Sequence, residues 1–444
     1  MLTLAGFSAM AQAEIRFVTD GDTEKPFFLA HYYGSKLLSV DTSSVINGNI
    51  VFSKSTNYPE GCYVLTDWSK TPLFNFILGQ DQKATLHASL ISRHIDSIEG
   101  AWETSLFQKY EIKRQQALQT LLPYVTDDPS VRAYIEQSKQ AFESYRDSIV
   151  NEDDTLFVTT LVKALQEPKI PDSITQNEAK AYVYYKMHYW DNFSLNDNRL
   201  LNTPLLEIRL DTYLDQIITP LPDSLCSAID RLIARTSSDA IRRFMLWHLI
   251  AKYQQPVFMG QDEVFVYLYD RYFSLFDSKH LSEANRNWMQ QKAEQLRRLA
   301  IGNTAPDLQL KDSNKQNISI QSIDSEYLIL FFHDHDCTLC DGELQQLKTI
   351  VTDSLHRLTV LCIDLNAESR ARQADSSSVS SFIYTNGIDN QGENPQQAYD
   401  VTSTPLIYLL DRDKRIIAKQ IRAEQIPEII NQYHHDRKPN NRRP

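Results

Sequence analysis

Two cysteines three positions apart, Cys337 and Cys340, stand in the stretch FFHDHDCTLCDGELQQL, directly after an apolar run and directly before a helical pattern. Sulfur at that spacing either exchanges disulfides or holds a metal. A thiolate is the nucleophile in disulfide exchange, and it is stabilised where it caps a helix N-terminus, by unpaired N–H groups and by the macrodipole. Cys337 is predicted to occupy that place. Cys340, one turn on and on the same helix face, is placed to attack a mixed disulfide on Cys337 and release the substrate.

The metal alternative takes His333, His335, Cys337 and Cys340 as one set, and imidazole with thiolate does suit zinc. Against it, the histidines lie four and two residues before Cys337, which would strain four ligands around one ion at a strand-to-helix turn, and no second C-x-x-C or any H-x-x-H follows. No metal is therefore expected at these residues. Cys62, Cys226 and Cys362 sit in the apolar patterns GCYVL, LCSAI and VLCID and are predicted to be small core residues. Five sparse cysteines do not make a disulfide framework.

The elements that must position the dithiol follow from periodicity. GNTAPDLQLKD reads as a loop leading into a strand, YLILFF as a buried strand and DGELQQLKTIVTDSL as an amphipathic helix. LTVLCIDL, TPLIYLLD and RIIAKQI follow as strands, and AEQIPEIINQYHH closes as a helix. That is an α/β sandwich over 301–435, with the cysteines where its first parallel strand hands over to its first helix.

Upstream, residues 14–95 carry short β-type runs broken by turn signals such as Asn47-Gly48, which predicts an antiparallel β-sandwich or barrel. From 96 to 300 the period changes to that of helices; Leu225, Ile229, Leu232 and Ile233 share one face, and Pro129, Pro171, Pro204, Pro222 and Pro256 punctuate the run. An all-helical central domain is expected, its aromatic stretches YVYYKMHYWDNF and VFVYLYDRYF serving mainly as core. The fold class is multidomain α+β.

At 444 residues and 42% apolar, the chain has room for several cores. Its formal net charge of -12 repels phosphate backbones and anionic lipid, so no nucleic-acid or membrane-surface partner is expected. No stretch reaches the roughly 18 apolar residues of a spanning helix. Residues 1–13 read as the remnant of a signal peptide, with Ala9-Met10-Ala11 and Ala11-Gln12-Ala13 as cleavage patterns; a buried first strand is the alternative. The basic tail at 436–444 is expected to be disordered.

Two motifs in order, the dithiol and then TSTPLIYLLD, make the segment from Gly302 to about His434 resemble the thioredoxin-like thiol:disulfide oxidoreductases of the bacterial envelope, the TlpA/ResA-like group. The resemblance implies Cys337 as nucleophile, Cys340 as resolving thiol, and Thr404 with a cis Pro405 as the shelf for a substrate chain. It also implies a protein disulfide substrate, an upstream reductant, an envelope location and no organic cofactor. The upstream two-thirds is similar to an uncharacterised accessory architecture. Asp336 stands where an aromatic is usual, Phe331 where thioredoxin has a buried acid, Thr338-Leu339 between the cysteines, and Gln345 where a proline is expected. Asp336 and Glu343 are candidate modulators. Together with Asp334 and Asp341 they disfavour a thiolate, which favours a reducing role. A peroxidase would have Pro and Thr at the positions of Leu330 and Asp334. A binding or scaffold protein with a retained module is the non-enzymatic alternative.

Overall fold

A computed structural model describes residues 12–20, 25–121, 128–256, 258–275, 281–312, 315–334, 336–354, 356–366, 381–387 and 393–437. The expected leader remnant up to residue 11, His335, and the tail from 438 onward lie outside them. The chain divides into two compact units, Met1–Thr219 with Ala228–Met245, and Pro220–Ser227 with Leu246–Pro444.

The first unit opens with strands β1 (Ala13–Thr19), β2 (Phe28–Tyr33), β3 (Lys36–Thr42), β4 (Ser44–Ile46), β5 (Asn49–Lys54), β6 (Gly61–Thr66), β7 (Pro72–Leu78), β8 (Lys83–Ser89) and β9 (His94–Gly100). They form two sheets, ordered β4-β5-β1-β8-β9 and β3-β2-β6-β7. Alternation along β1 and β8 turns Ile15, Phe17 and Leu86 inward, where they share one core with Leu29, Tyr63, Leu65 and Phe76 of the other sheet. This is the expected sandwich, and all its pairings are antiparallel except β1 with β8. Both flanks of β1 are filled by strands that arrive later in the chain, and one of them runs parallel. The last strand crosses the expected boundary at 95 and ends at Gly100. There φ is +70° and a Cβ would stand 2.2 Å from the Lys83 carbonyl, so only glycine fits.

Helices follow, among them Trp102–Leu121, Pro129–Val150, Phe157–Ala164, Glu178–His188 and Leu205–Thr212. Pro129 opens the second, with Asp128 capping it by accepting the Ser130 N–H. Buried Glu103 ties the helices to the sandwich, accepting N–H bonds from Gln80 (3.0 Å) and Val158 (2.9 Å). Of the first aromatic stretch, Tyr189, Trp190 and Phe193 are buried. The Arg209 guanidinium lies over the Tyr189 ring at 4.5 Å and donates to the Ala164 carbonyl at 3.1 Å, which gives the buried cation a ring and a carbonyl as partners. Tyr182 and Met187 of the same stretch are exposed.

The second unit holds the helices Asp262–Arg271 and Glu283–Arg298, then a seven-stranded sheet of β10 (Gln309–Asp312), β11 (Asn317–Ser319), β12 (Tyr327–His333), β13 (Leu358–Asp364), β14 (Phe382–Asn386), β15 (Leu406–Leu410) and β16 (Ile416–Lys419). The order is β11-β10-β14-β13-β12-β15-β16. β12 runs parallel to β13 and antiparallel to β15. Every residue of β12 is buried, because one face packs on the helices Thr338–Asp353 and Ile426–Arg437 and the other on a second apolar cluster. A strand covered on both faces must read as the continuous apolar run seen here. β14 is an addition, drawn from the stretch between Asp364 and Tyr399. The arrangement is thioredoxin-like, as the resemblance implies.

Gly302, at φ +91°, starts this module and donates its N–H to the Ile416 carbonyl at 2.8 Å. Two buried lysines cross-link the helices to it. Lys419 Nζ donates to Asp262 Oδ2 and, at 2.7 Å, to the Leu299 carbonyl, with both charged side chains only 2% exposed. Lys292 Nζ reaches both carboxylate oxygens of Asp400 at 2.6 Å. Among the described residues, no helix is long and apolar enough to cross a membrane.

Candidate active site

β12 ends at His333, and the chain turns through Asp334 into the helix Thr338–Asp353, with Cys337 as its N-cap residue in extended conformation (φ −94°, ψ 109°). The turn is closed by the Cys337 N–H on the Asp334 carbonyl (3.2 Å) and by the Asp341 N–H on the Cys337 carbonyl (3.3 Å). One of the orphan amides of the first helical turn finds its acceptor on sulfur: Cys340 N–H donates to Cys337 Sγ at 3.2 Å. A thiolate at Sγ would receive that hydrogen bond together with the positive end of the helix.

Sheet register brings in the second motif. Phe332 pairs with Leu406 across the antiparallel β12–β15 ladder, so Thr404 and Pro405, just ahead of β15, reach the same end of the sheet as the dithiol. The Thr404–Pro405 peptide is cis. The Thr404 carbonyl faces Cys337, whose S–H donates to it over 3.9 Å. Cys337, Cys340, Thr404 and Pro405 are thus brought together across 67 residues of sequence.

The two sulfurs differ in access. Cys337 is partly exposed; Cys340 is buried at 3% exposure. Burial, and then the hydrogen bond with Cys337, push the Cys340 thiol from 9.0 up to about 11. No disulfide joins the described cysteines. Cys362 is buried opposite Phe331 in β13, and burial, with Glu111 adding to it, raises the Cys62 thiol to about 12. Cys362 is thus the core position its apolar pattern predicts, while Cys62 and Cys226 are only partly buried.

The two candidate modulators separate. Asp336 is exposed beside Cys337, and its N–H donates to Asp334 Oδ1 at 3.0 Å. Glu343 Oε2 accepts the Ala423 N–H at 2.8 Å, so its carboxylate is committed to the turn Ala423–Gln425 that precedes the last helix. Asp334 likewise accepts from Asn366 Nδ2 at 3.1 Å. His333 is buried and stacked on Phe331, centroids 5.2 Å apart at 15°. Among the described residues, the groups of three or more metal-type donors converging within 4.8 Å include neither His333 nor the two cysteines.

Sequence reasoning gave Leu339 only a backbone role. Its side chain is 74% exposed directly between the cysteines, an apolar contact beside the reactive sulfur. Buried Asp364, paired in register with His333 at the same end of the sheet, was also missed. Its position as the last residue of LTVLCID, the one acid closing an apolar strand, was the available signal.

Residues 301–419 match the AhpC/TSA family, and residues 131–298 match a domain of unknown function, DUF5106. No curated protein matches the chain. Among solved structures, it is similar to a thioredoxin-like protein from Bacteroides caccae, at 20% identity and TM-score 0.47, over 60% of this chain and 98% of that one. A domain of a possible thiol-disulfide isomerase from Cytophaga hutchinsonii matches at 25% identity and TM-score 0.28, over 31% and 94%. A thiol:disulfide interchange protein from Bacteroides sp. matches at 16% identity and TM-score 0.24, over 32% and 95%.

Proposed function

We propose that the chain is a thiol:disulfide oxidoreductase whose C-terminal module reduces protein disulfides through Cys337 and Cys340. The observation that carries this reading is the Cys340 N–H on Cys337 Sγ with the Thr404 carbonyl also facing that sulfur, which leaves one reachable sulfur at a helix start beside a buried partner. The Cys337 thiolate attacks one sulfur of the substrate disulfide; a mixed disulfide forms and the other substrate sulfur leaves as a thiolate. Cys340 gives up its proton and attacks Cys337 Sγ, the mixed disulfide breaks, and the substrate departs with both sulfurs reduced. The two electrons come from the dithiol, which ends as an internal disulfide and needs an upstream dithiol donor to reset it. Thr404 and Pro405 hold the substrate backbone, and the Leu339 side chain offers it apolar contact.

The reducing direction follows from what opposes a thiolate. The Cys340 thiol is held well above its ordinary range, and Asp336 and Asp341 stand exposed at the helix start. A poorly stabilised dithiolate drives the couple toward disulfide, which makes it a donor. The leader pattern at residues 1–13 supports an envelope location, with Bacteroides and Cytophaga relatives among the similar structures. The peroxidase alternative lacks its residues: the position of its proline is Leu330, buried in β12, and that of its threonine is Asp334.

Reduction of a fluorogenic peptide disulfide by the dithiol form tests the reading. It should vanish in Cys337→Ser, while Cys340→Ser should accumulate mixed disulfides with substrate. A parent protein that reduces nothing under these conditions, with both thiols titratable, would return the chain to the scaffold alternative. Trapping partners with Cys340→Ser in intact cells identifies the substrate.

A further inference from the structure

The opposite end of β12 carries a cluster that thiol chemistry does not use. Glu326 immediately precedes the strand, His356 precedes β13, and His434 lies in the helix Ile426–Arg437. One donor atom from each lies within 4.8 Å of the other two. Glu326 Oε1 is 3.2 Å from His356 Nδ1 and 4.0 Å from His434 Nε2. The two imidazoles stack, centroids 4.7 Å apart at 19°, and the Tyr327 ring stands edge-on to both. Glu326 Oε2 accepts the Arg357 N–H at 3.3 Å, which leaves Oε1 turned to the two rings.

We propose that Glu326, His356 and His434 bind a divalent cation of the zinc class. Two imidazole nitrogens and one carboxylate oxygen are a borderline donor set that suits Zn2+ far better than Mg2+ or Ca2+. Tetrahedral coordination with bonds of 2.0 to 2.1 Å needs about 3.3 Å between donors. The separations of 3.2 and 4.0 Å bracket that value. All three side chains are 30–42% exposed, so small rotations can close them on an ion. The Arg357 guanidinium is turned to Asp324, which it meets at 2.7 Å. The Tyr327 hydroxyl, 2.8 Å from His434 Nε2, gives up that hydrogen bond when the nitrogen takes an ion and stands where its oxygen can be a fourth ligand. Such an ion would pin the end of the last helix to the start of the central strand.

The test uses the full chain, stripped by chelator and carrying Cys337→Ser and Cys340→Ser so that the dithiol cannot bind metal. Calorimetric titration with ZnCl2 should show one equivalent bound. His356→Ala, His434→Ala and Glu326→Gln should each weaken binding about 10-fold or more. Zn2+ should raise the Tm of this background and leave that of its His434→Ala derivative unmoved, which separates ligation from misfolding. Co2+ should give the visible bands of a tetrahedral nitrogen–oxygen site without a thiolate charge-transfer band. Binding that survives both histidine substitutions, no binding at all in the double-serine background, or a thiolate band with cobalt would each overturn the assignment.

Discussion

At one end of β12 the helix Thr338–Asp353 begins and Cys337 takes a backbone N–H onto its sulfur, while at the other Glu326 turns one oxygen toward His356 and His434. Seven residues of strand hold the two about 23 Å apart. The first end is built largely from main chain: a helix N-terminus supplies one N–H to the sulfur, and the β12–β15 register brings the Thr404 carbonyl to it. The second end owes its donors to side chains from three separate elements. A backbone-built site survives changes to its neighbours; a side-chain-built site does not.

The largest effect that would break this contrast is at the dithiol. Cys337→Ser should lower disulfide reduction by about 100-fold or more, since Cys340, the other sulfur of the site, is buried. Retained activity would move the chemistry elsewhere. Next comes the pH profile of Cys340. Because its thiol lies near 11 in the fold and 9.0 is its ordinary value, alkylation at pH 8 should run about 100-fold slower than for an unperturbed thiol and should rise toward pH 11. The sign for stability follows: the fold binds the proton more tightly than the unfolded chain, so this contribution is complete below pH 9 and declines as pH climbs through 11. Alkylation with a midpoint near 9 would remove burial as the cause.

A smaller effect sharpens the separation of the two ends. His434→Ala should leave disulfide reduction within about 2-fold of the parent, as expected of sites this far apart. A large loss would couple them. Smallest is Glu343→Ala, which removes the acceptor for the Ala423 N–H and should cost about 1 kcal/mol in denaturant unfolding while leaving the pH profile of thiol alkylation in place. A moved profile would show Glu343 acting on the pair as a modulator.

The same division explains what sequence reading reached. YLILFF, the helix after it and the TSTP motif are local signals, and the structure places them about one site because a short turn joins β12 to its helix and the antiparallel β12–β15 register carries Thr404 and Pro405 to the same end of the sheet. The partner of Glu343 escaped because Ala423 is 80 residues away and offers only a backbone N–H, which no side-chain pattern announces. β14 was hidden in a long polar stretch whose strand character depends on β13 already being present to pair with it. The sandwich was legible from alternation. Its end was not, since Ile95 and Ile98 of β9 belong to a strand that overlaps the first helical residues expected from periodicity. Glu326, His356 and His434 share no motif and meet only through tertiary folding.

Lys419 sets a rule for anyone dissecting this protein. Its ammonium ion sits inside the redox module, while its counter-ion, Asp262, and its carbonyl acceptor, Leu299, both come from before residue 300. Trimming the chain to the thiol module at that point would remove both partners of that ammonium ion together with the segments that carry them. The smallest fragment that keeps its internal charges balanced therefore starts upstream of Asp262, and activity lost from a shorter one would report on folding before it reported on catalysis.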